Sequence, residues 1–327
     1  MLMKKKSKIF MLILLAFCPF NSNCQSEKNE RKNTENESEN YFDIVYYAPE
    51  IPTIAYFCGE KVDLTNYYLR ERYDRELLSF SYWHSHIFIL LKRANKYFPV
   101  IESILEKEGV PDDFKYLALI ESSLDQRAIS PAKAAGMWQI LPETAKENGL
   151  EVTEDVDERY HLEKATVLAC NYLKRTYEQT GYWSTAAASY NAGKGKITSV
   201  VATQQTNNYF DMLFGEETNR YVFRMIVAKQ IFSDPQKYGF YLKKEDLYYL
   251  VDYDVVEVDS PILNLTDFAK SHKINYQLLK DANPWLRTNK LDNKSKKTYQ
   301  IKIPKENALK FDAKKVRVHQ KNWVVNP

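Results

Sequence analysis

From Asp63 to about Phe232 the chain repeats one pattern that fixes most of what it can fold into. Apolar residues return every three or four positions, as at Ile87, Leu90, Leu91, Ala94, Tyr97 and Phe98. Such spacing predicts amphipathic helices, each with a stripe that must be buried against its neighbours. The same signal covers residues 162–177, 183–191 and 219–232, and Ala186-Ala187-Ala188 permits close helix contact. Pro99, Pro111, Pro131 and Pro142 read as breaks between segments. The stretch 41–62, ahead of these helices, reads as irregular.

Composition shifts after Pro235. Residues 248–258 are rich in Tyr and Val, as a strand requires, and two short helical patterns follow at 265–272 and 276–283. Residues 299–303 alternate again and stop at Pro304, so a β-α-α-β unit of about 50 residues is expected here. The tail, 305–327, is basic and carries no clear element. The fold class expected is therefore mainly α, a helical domain followed by a small β-α-α-β domain.

The first residues, MLMKKKSKIFMLILLAFCPFNSNC, pair a basic start with a short apolar core, which is a secretory signal pattern. The apolar run is too short to span a bilayer. A signal peptide over 1–23 leaves Cys24 as a candidate lipid-attachment cysteine, although Asn23 departs from the small apolar residue expected before it. Ordinary cleavage nearby is the alternative. Residues 25–40 are polar and lack periodicity, and the segment 24–57 reads as tether and lead-in. Removing the leader takes Lys4, Lys5, Lys6 and Lys8, so 46 basic residues become 42 against 43 acidic ones, a net charge of −1. That balance gives no electrostatic case for nucleic-acid binding. Apolar residues at 44% and charged residues at 27% are ordinary for a globular chain. Cys58 and Cys170 are expected either to bridge or to remain as two buried thiols. His84 and His86 flank Ser85, but no Cys/His spacing predicts a metal site, and no glycine loop predicts a phosphate cofactor.

One carboxylate stands out. Phe114, Leu117, Ala118 and Glu121 fall at i, i+3, i+4 and i+7 of a predicted helix that Asp112 and Asp113 open. Glu121 thus shares a stripe with apolar residues, and lost hydration raises a carboxyl pKa towards that of a general acid at neutral pH. The structural alternative is a buried Glu paired with Lys or Arg. Downstream, Gly136 permits a backbone approach that a side chain would block. Trp138-Gln139 offers either a stacking surface with an amide or a core Trp beside a surface Gln. Tyr190 and Asn191 precede Gly193 and Gly195; three of the chain's 9 glycines are therefore at these two places.

In order, Glu121-Ser122, Ser130-Pro131, Gly136-Met137-Trp138-Gln139, Ser189-Tyr190-Asn191-Ala192-Gly193, and Glu217-Thr218 with Tyr221 resemble the lytic transglycosylases built on the goose-type lysozyme fold. The pattern is most similar to the membrane-bound lytic murein transglycosylase D group. It extends over roughly 58–235, and the domain it implies runs over 58–240. One departure is Met137-Trp138, where many relatives have Leu-Met. The resemblance implies a lysozyme-like fold with Glu121 as single acid and base. It places Ser130 near the N-acetyl group or the reacting hydroxyl, with Gln139 and Asn191 on sugar polar groups. It makes Met137 and Trp138 glycan wall, has Tyr190 line the site, and has Glu217 order it with Tyr221. Peptidoglycan glycan strands would be the partner, in the bacterial envelope, with no cofactor. Residues 248–304 resemble a LysM module through Phe268-Ala269, Leu278-Leu279, Asn283-Pro284 and 299–304. Ser260-Pro261-Ile262-Leu263 replaces its usual opening, so glycan binding and mere packing both stay open. The rival functions are a lysozyme-type hydrolase and a non-catalytic wall-binding lipoprotein.

Overall fold

The structure, a computed structural model, describes residues 47–325. The expected signal peptide, the candidate lipidation at Cys24 and most of the tether lie outside the described residues.

The chain opens with a hairpin where an irregular stretch was expected. Strand β1 (Ile54–Phe57) pairs antiparallel with β2 (Glu60–Asp63), Phe57 facing Glu60 across the turn. Cys58 and Gly59 both take positive φ, 50° and 83°, the geometry of a primed hairpin turn whose twist matches its strands. The Cys58 backbone N–H donates to Asp113 Oδ2 at 2.6 Å, which fastens the hairpin to the helical domain. Cys58 and Cys170 are free thiols, so the bridge is not formed.

Helices α1 (Tyr67–Ser81), α2 (His84–Lys107), α3 (Lys115–Ser122), α4 (Pro142–Glu147), α5 (Leu162–Thr180), α6 (Trp183–Ala192), α7 (Lys194–Gln204) and α8 (Glu216–Ser233) follow. Their stripes form one core. Pro99 does not break a segment as expected, because it sits inside α2. Ile87, Leu90, Leu91, Ala94 and Phe98 are buried before it, and Ile101 and Leu105 after it. Burial of that continuous face outweighs the one backbone bond a proline forfeits. Helix α6 is buried from Ser184 to Ser189, and its alanines let it lie between α5 and α8.

The C-terminal unit has the expected order: β3 (Tyr253–Val258), α9 (Leu265–Ser271), α10 (Tyr276–Ala282) and β4 (Tyr299–Pro304). The two strands pair antiparallel from Tyr253 with Pro304 to Val258 with Tyr299. Asn264 and Asn275 cap the helices by accepting backbone N–H bonds. The unit shares an apolar cluster with Ala135, Val156 and Tyr160, and Arg287 lies 3.9 Å over the Tyr160 ring. Lys302 pairs with Glu163 at 2.6 Å.

The tail is not without structure. Its Trp323 is buried beside Phe98 and Phe232, and its Nε1 donates to the Phe232 carbonyl at 2.7 Å. His319 meets Glu102 at 2.9 Å. Two aromatic anchors in a basic segment gave too little periodicity to register in the sequence.

Candidate active site

Glu121 sits in the last turn of α3. Ser122 and then Ser123, in the left-handed region at φ 55°, end that helix. The Ser122 hydroxyl donates to the Ala118 carbonyl at 3.1 Å and to the Met137 carbonyl at 2.8 Å, tying α3 to the loop that holds Gly136. Helix α8 lies against α3 and runs the other way: Tyr116 meets Phe232, and Glu121 meets Tyr221. Tyr221 is buried and donates its hydroxyl to Glu121 Oε1.

Burial pushes the Glu121 carboxyl up to about 7, against the Tyr221 hydrogen bond, which favours the ionised form. The charge of Glu217 raises it further and that of Arg224 lowers it. Arg224 grips Glu217 with two bonds, of 2.7 and 3.2 Å. Positions 221 and 224 lie about one and two turns beyond 217 on α8, so a single helix face delivers all three groups.

That face is braced from behind. Glu76 of α1 is only 1% exposed and accepts from Arg220 Nε at 2.5 Å; Arg224 Nε lies 3.5 Å away. Glu76 shares the α1 stripe with Leu69, Tyr73, Leu77 and Phe80. The sequence reading missed it, although the criterion that singled out Glu121 applies equally.

The Gly136 loop forms the next wall. Gly136 has φ +77°, and a Cβ on it would lie 2.0 Å from the Arg159 carbonyl oxygen, so no side chain fits. Arg159 forms a buried fork with Asp157 at 2.7 and 2.9 Å, and its Nη1 donates to the carbonyls of Lys133 and Ile140. Neither Asp157 nor Arg159 was singled out from sequence, because an i, i+2 pair in a loop has no periodic signal.

Tyr190 donates its hydroxyl to the Trp138 carbonyl at 2.7 Å, and its own pKa is raised by burial and by the charge of Glu121. Asn191 Oδ1 accepts from Thr218 at 2.8 Å, linking α6 to α8. Tyr190, Tyr221, Glu217 and the backbone of Met137 and Trp138 therefore gather about Glu121. The hydrogen bonds of the Ser130 and Gln139 side chains go elsewhere than Glu121. The Ser130 hydroxyl accepts from the Ala134 N–H at 3.1 Å, and the Gln139 amide nitrogen donates to the Gly136 carbonyl at 3.0 Å.

The expected glycan wall of Met137 and Trp138 needs correction. Their side chains are 1% and 0% exposed and belong to the core. Trp138 Nε1 donates to Thr166 Oγ1 at 2.8 Å, which satisfies the indole inside the helical domain. A ring so enclosed has no face left for a sugar.

Residues 99–213 match the family model described as "Transglycosylase SLT domain". The chain carries an SLT domain. Residues 254–307 match "Soluble lytic transglycosylase C-terminal LysM-like domain", so the β-α-α-β unit is LysM-like. The chain is homologous to the membrane-bound lytic murein transglycosylase D of Escherichia coli (strain K12), at 27% identity over 260 residues, 75% of this chain and 56% of that protein. The membrane-bound lytic murein transglycosylase C of Serratia proteamaculans is 27% identical over 130 residues, 35% of this chain and 36% of its own. The chain thus spans about half the length of the first of these relatives. Glu121, the Gly136 loop and Tyr190 all fall inside the matched SLT domain, and Glu217 and Tyr221 lie just beyond it.

Proposed function

We propose that this chain is a peptidoglycan lytic transglycosylase with Glu121 as its single acid and base. Its substrate is the β-1,4 bond between N-acetylmuramic acid and N-acetylglucosamine. One observation carries the reading: a half-buried carboxyl with a proton affinity near neutrality, held by Tyr221 at the end of α3. The other carboxylate acting on it, Glu217, is exposed and engaged by Arg224, which suits it to ordering the site rather than to nucleophilic attack.

Protonated Glu121 donates to the glycosidic oxygen, and the C1–O bond breaks as positive charge develops on the muramoyl ring. Most glycosidases meet that charge with a second carboxylate. Here the acetamido oxygen of the substrate stabilises it. Ionised Glu121 then takes the proton from the C6 hydroxyl, whose oxygen closes on C1 to give a 1,6-anhydro end. Attack within one sugar gains from proximity. Tyr221 donates to the ionised form and so helps the carboxylate exist between the two proton transfers. Ser130, Gln139, Tyr190 and Asn191 contact the sugars in this reading.

We assign the catalytic unit to 58–240 and a glycan-holding LysM-like unit to 248–304. The signal pattern and Cys24 support export and a lipid anchor at the envelope. The test is digestion of purified peptidoglycan by the wild type and by Glu121→Gln, read by mass spectrometry. Products one water lighter than hydrolytic ones, absent with the variant, are expected. Hydrolytic ends would favour the lysozyme-type reaction, and no cleavage by the wild type would leave a binding protein.

A further inference from the structure

The chain has 5 tryptophans. Trp138, Trp285 and Trp323 are buried and Trp183 is partly buried against the core, whereas Trp83 is 51% exposed. A lone exposed aromatic is commonplace. Trp83 differs because it is held: its ring lies flat on His86, centroids 3.7 Å apart and planes 16° from parallel. His86 is itself half-buried, and its Nε2 is 3.3 Å from Ser123 Oγ. Arg93 donates to the Ser123 carbonyl at 2.9 Å and reaches Asp125 at 3.7 Å. The indole is therefore fixed, through one stacked ring, to the residue two positions after Glu121.

Helix directions put the two at the same end of the domain. Helices α2 and α3 are antiparallel, since His86 meets Ser123 while Glu102 meets Lys115. Helices α3 and α8 are antiparallel as well. The start of α2, the end of α3 and the start of α8 therefore converge. Arg75, midway along α1, pairs with Glu216 at 2.7 Å, and only Tyr82 and Trp83 separate the end of α1 from the start of α2. Trp83 occupies the junction of α1 and α2.

An aromatic ring with one face fixed and half its surface open suits a pyranose. The axial C–H groups of a sugar are weakly positive and apolar, and they pack on the negative face of the ring. No charge complementarity is needed, which fits a strand whose two alternating sugars share the same pyranose ring.

We propose that Trp83 is an outer sugar platform, on which a pyranose ring of the glycan strand stacks while the scissile bond lies at Glu121. The platform rests on the function proposed above and extends it by a subsite. It fixes how the strand runs: from the Glu121 cleft towards the α1–α2 junction.

The full chain carrying Glu121→Gln is titrated with N-acetylglucosamine oligomers of two and of six sugars, by calorimetry and by iodide quenching of tryptophan emission. The hexamer is expected to bind and to shield emission from iodide. Trp83→Phe keeps most of the hexamer affinity and loses most of the quenchable emission, while Trp83→Ala weakens hexamer binding by about tenfold. The dimer, which fills fewer subsites, is expected to bind more weakly and to shield less. Calorimetric binding of the hexamer with no change in quenching, or with the same affinity in Trp83→Ala, overturns the platform and leaves the function standing. No binding of either oligomer to the Glu121→Gln chain also overturns the platform, and the function is overturned separately if the wild type releases no anhydro ends from peptidoglycan.

Discussion

Tyr221 gives its hydroxyl hydrogen to a carboxyl oxygen of Glu121, and both residues sit on helices that share the core. The bond opposes burial, which pushes the Glu121 carboxyl up to about 7. Removing the donor with Tyr221→Phe leaves burial unopposed, so the pKa rises further. The proposed mechanism needs Glu121 protonated in its first step, so on that mechanism kcat/KM falls as pH rises through that pKa. The alkaline limb of the pH–rate profile is expected to move to higher pH in Tyr221→Phe. An unmoved limb, or one moved down, contradicts this role.

The same raised pKa makes a statement about stability. The unfolded carboxyl titrates near its ordinary value of 4.5 and the folded one near 7. Between these values the folded state holds the extra proton, so stability falls as pH rises through this window and levels off above it. Glu121→Gln cannot ionise and escapes that loss. At about pH 8 it is expected to be more stable than the wild type, by at most about 3 kcal/mol. The difference should close below about pH 4.5. Thermal melts at both pH values check this, and an equal difference at both would contradict it.

Glu76, like Glu121, is a glutamate on an apolar stripe, yet only Glu121 was noticed in the sequence. The structure separates them by partner. Glu76 meets Arg220 and Arg224, the paired arrangement held open for Glu121, whereas Glu121 meets a tyrosine. Periodicity reports which side of a helix a residue faces, and it is silent about what waits there. The helices, the β-α-α-β unit and the order of motifs were legible because they follow from spacing within one segment. Trp138 was not, because whether an indole meets solvent or Thr166 depends on a helix 28 residues away. The tail and the hairpin β1–β2 were missed for the same reason: single anchors such as Trp323 and the Cys58–Asp113 bond leave no repeat to find.

Glu76→Ala tests the brace behind α8. The variant leaves Arg220 and Arg224 without their buried partner. Breaking a buried pair in this way costs about 3 kcal/mol or more. Denaturant unfolding should show that loss. A change under about 1 kcal/mol would mean that the pairs are too well solvated to matter.

Gly136→Ala should be severe for so small a change. The new methyl group would meet the Arg159 carbonyl oxygen at 2.0 Å, in a backbone region that L side chains avoid. Strain and displacement together are expected to cost about 3 kcal/mol, or to open the loop that carries the Trp138 carbonyl. Unfolding midpoints and the residual rate on peptidoglycan read the two effects. Wild-type values for both would mean that the loop relaxes freely.

The central claim is that one carboxyl moves the proton twice while the sugar closes on itself. Digestion of peptidoglycan in water enriched in heavy oxygen tests it most directly, with the released ends read by mass spectrometry. Ring closure takes its oxygen from C6 of the substrate, so the wild-type products should carry no label at the new ends. Labelled ends would show that water is the nucleophile and would contradict the claim.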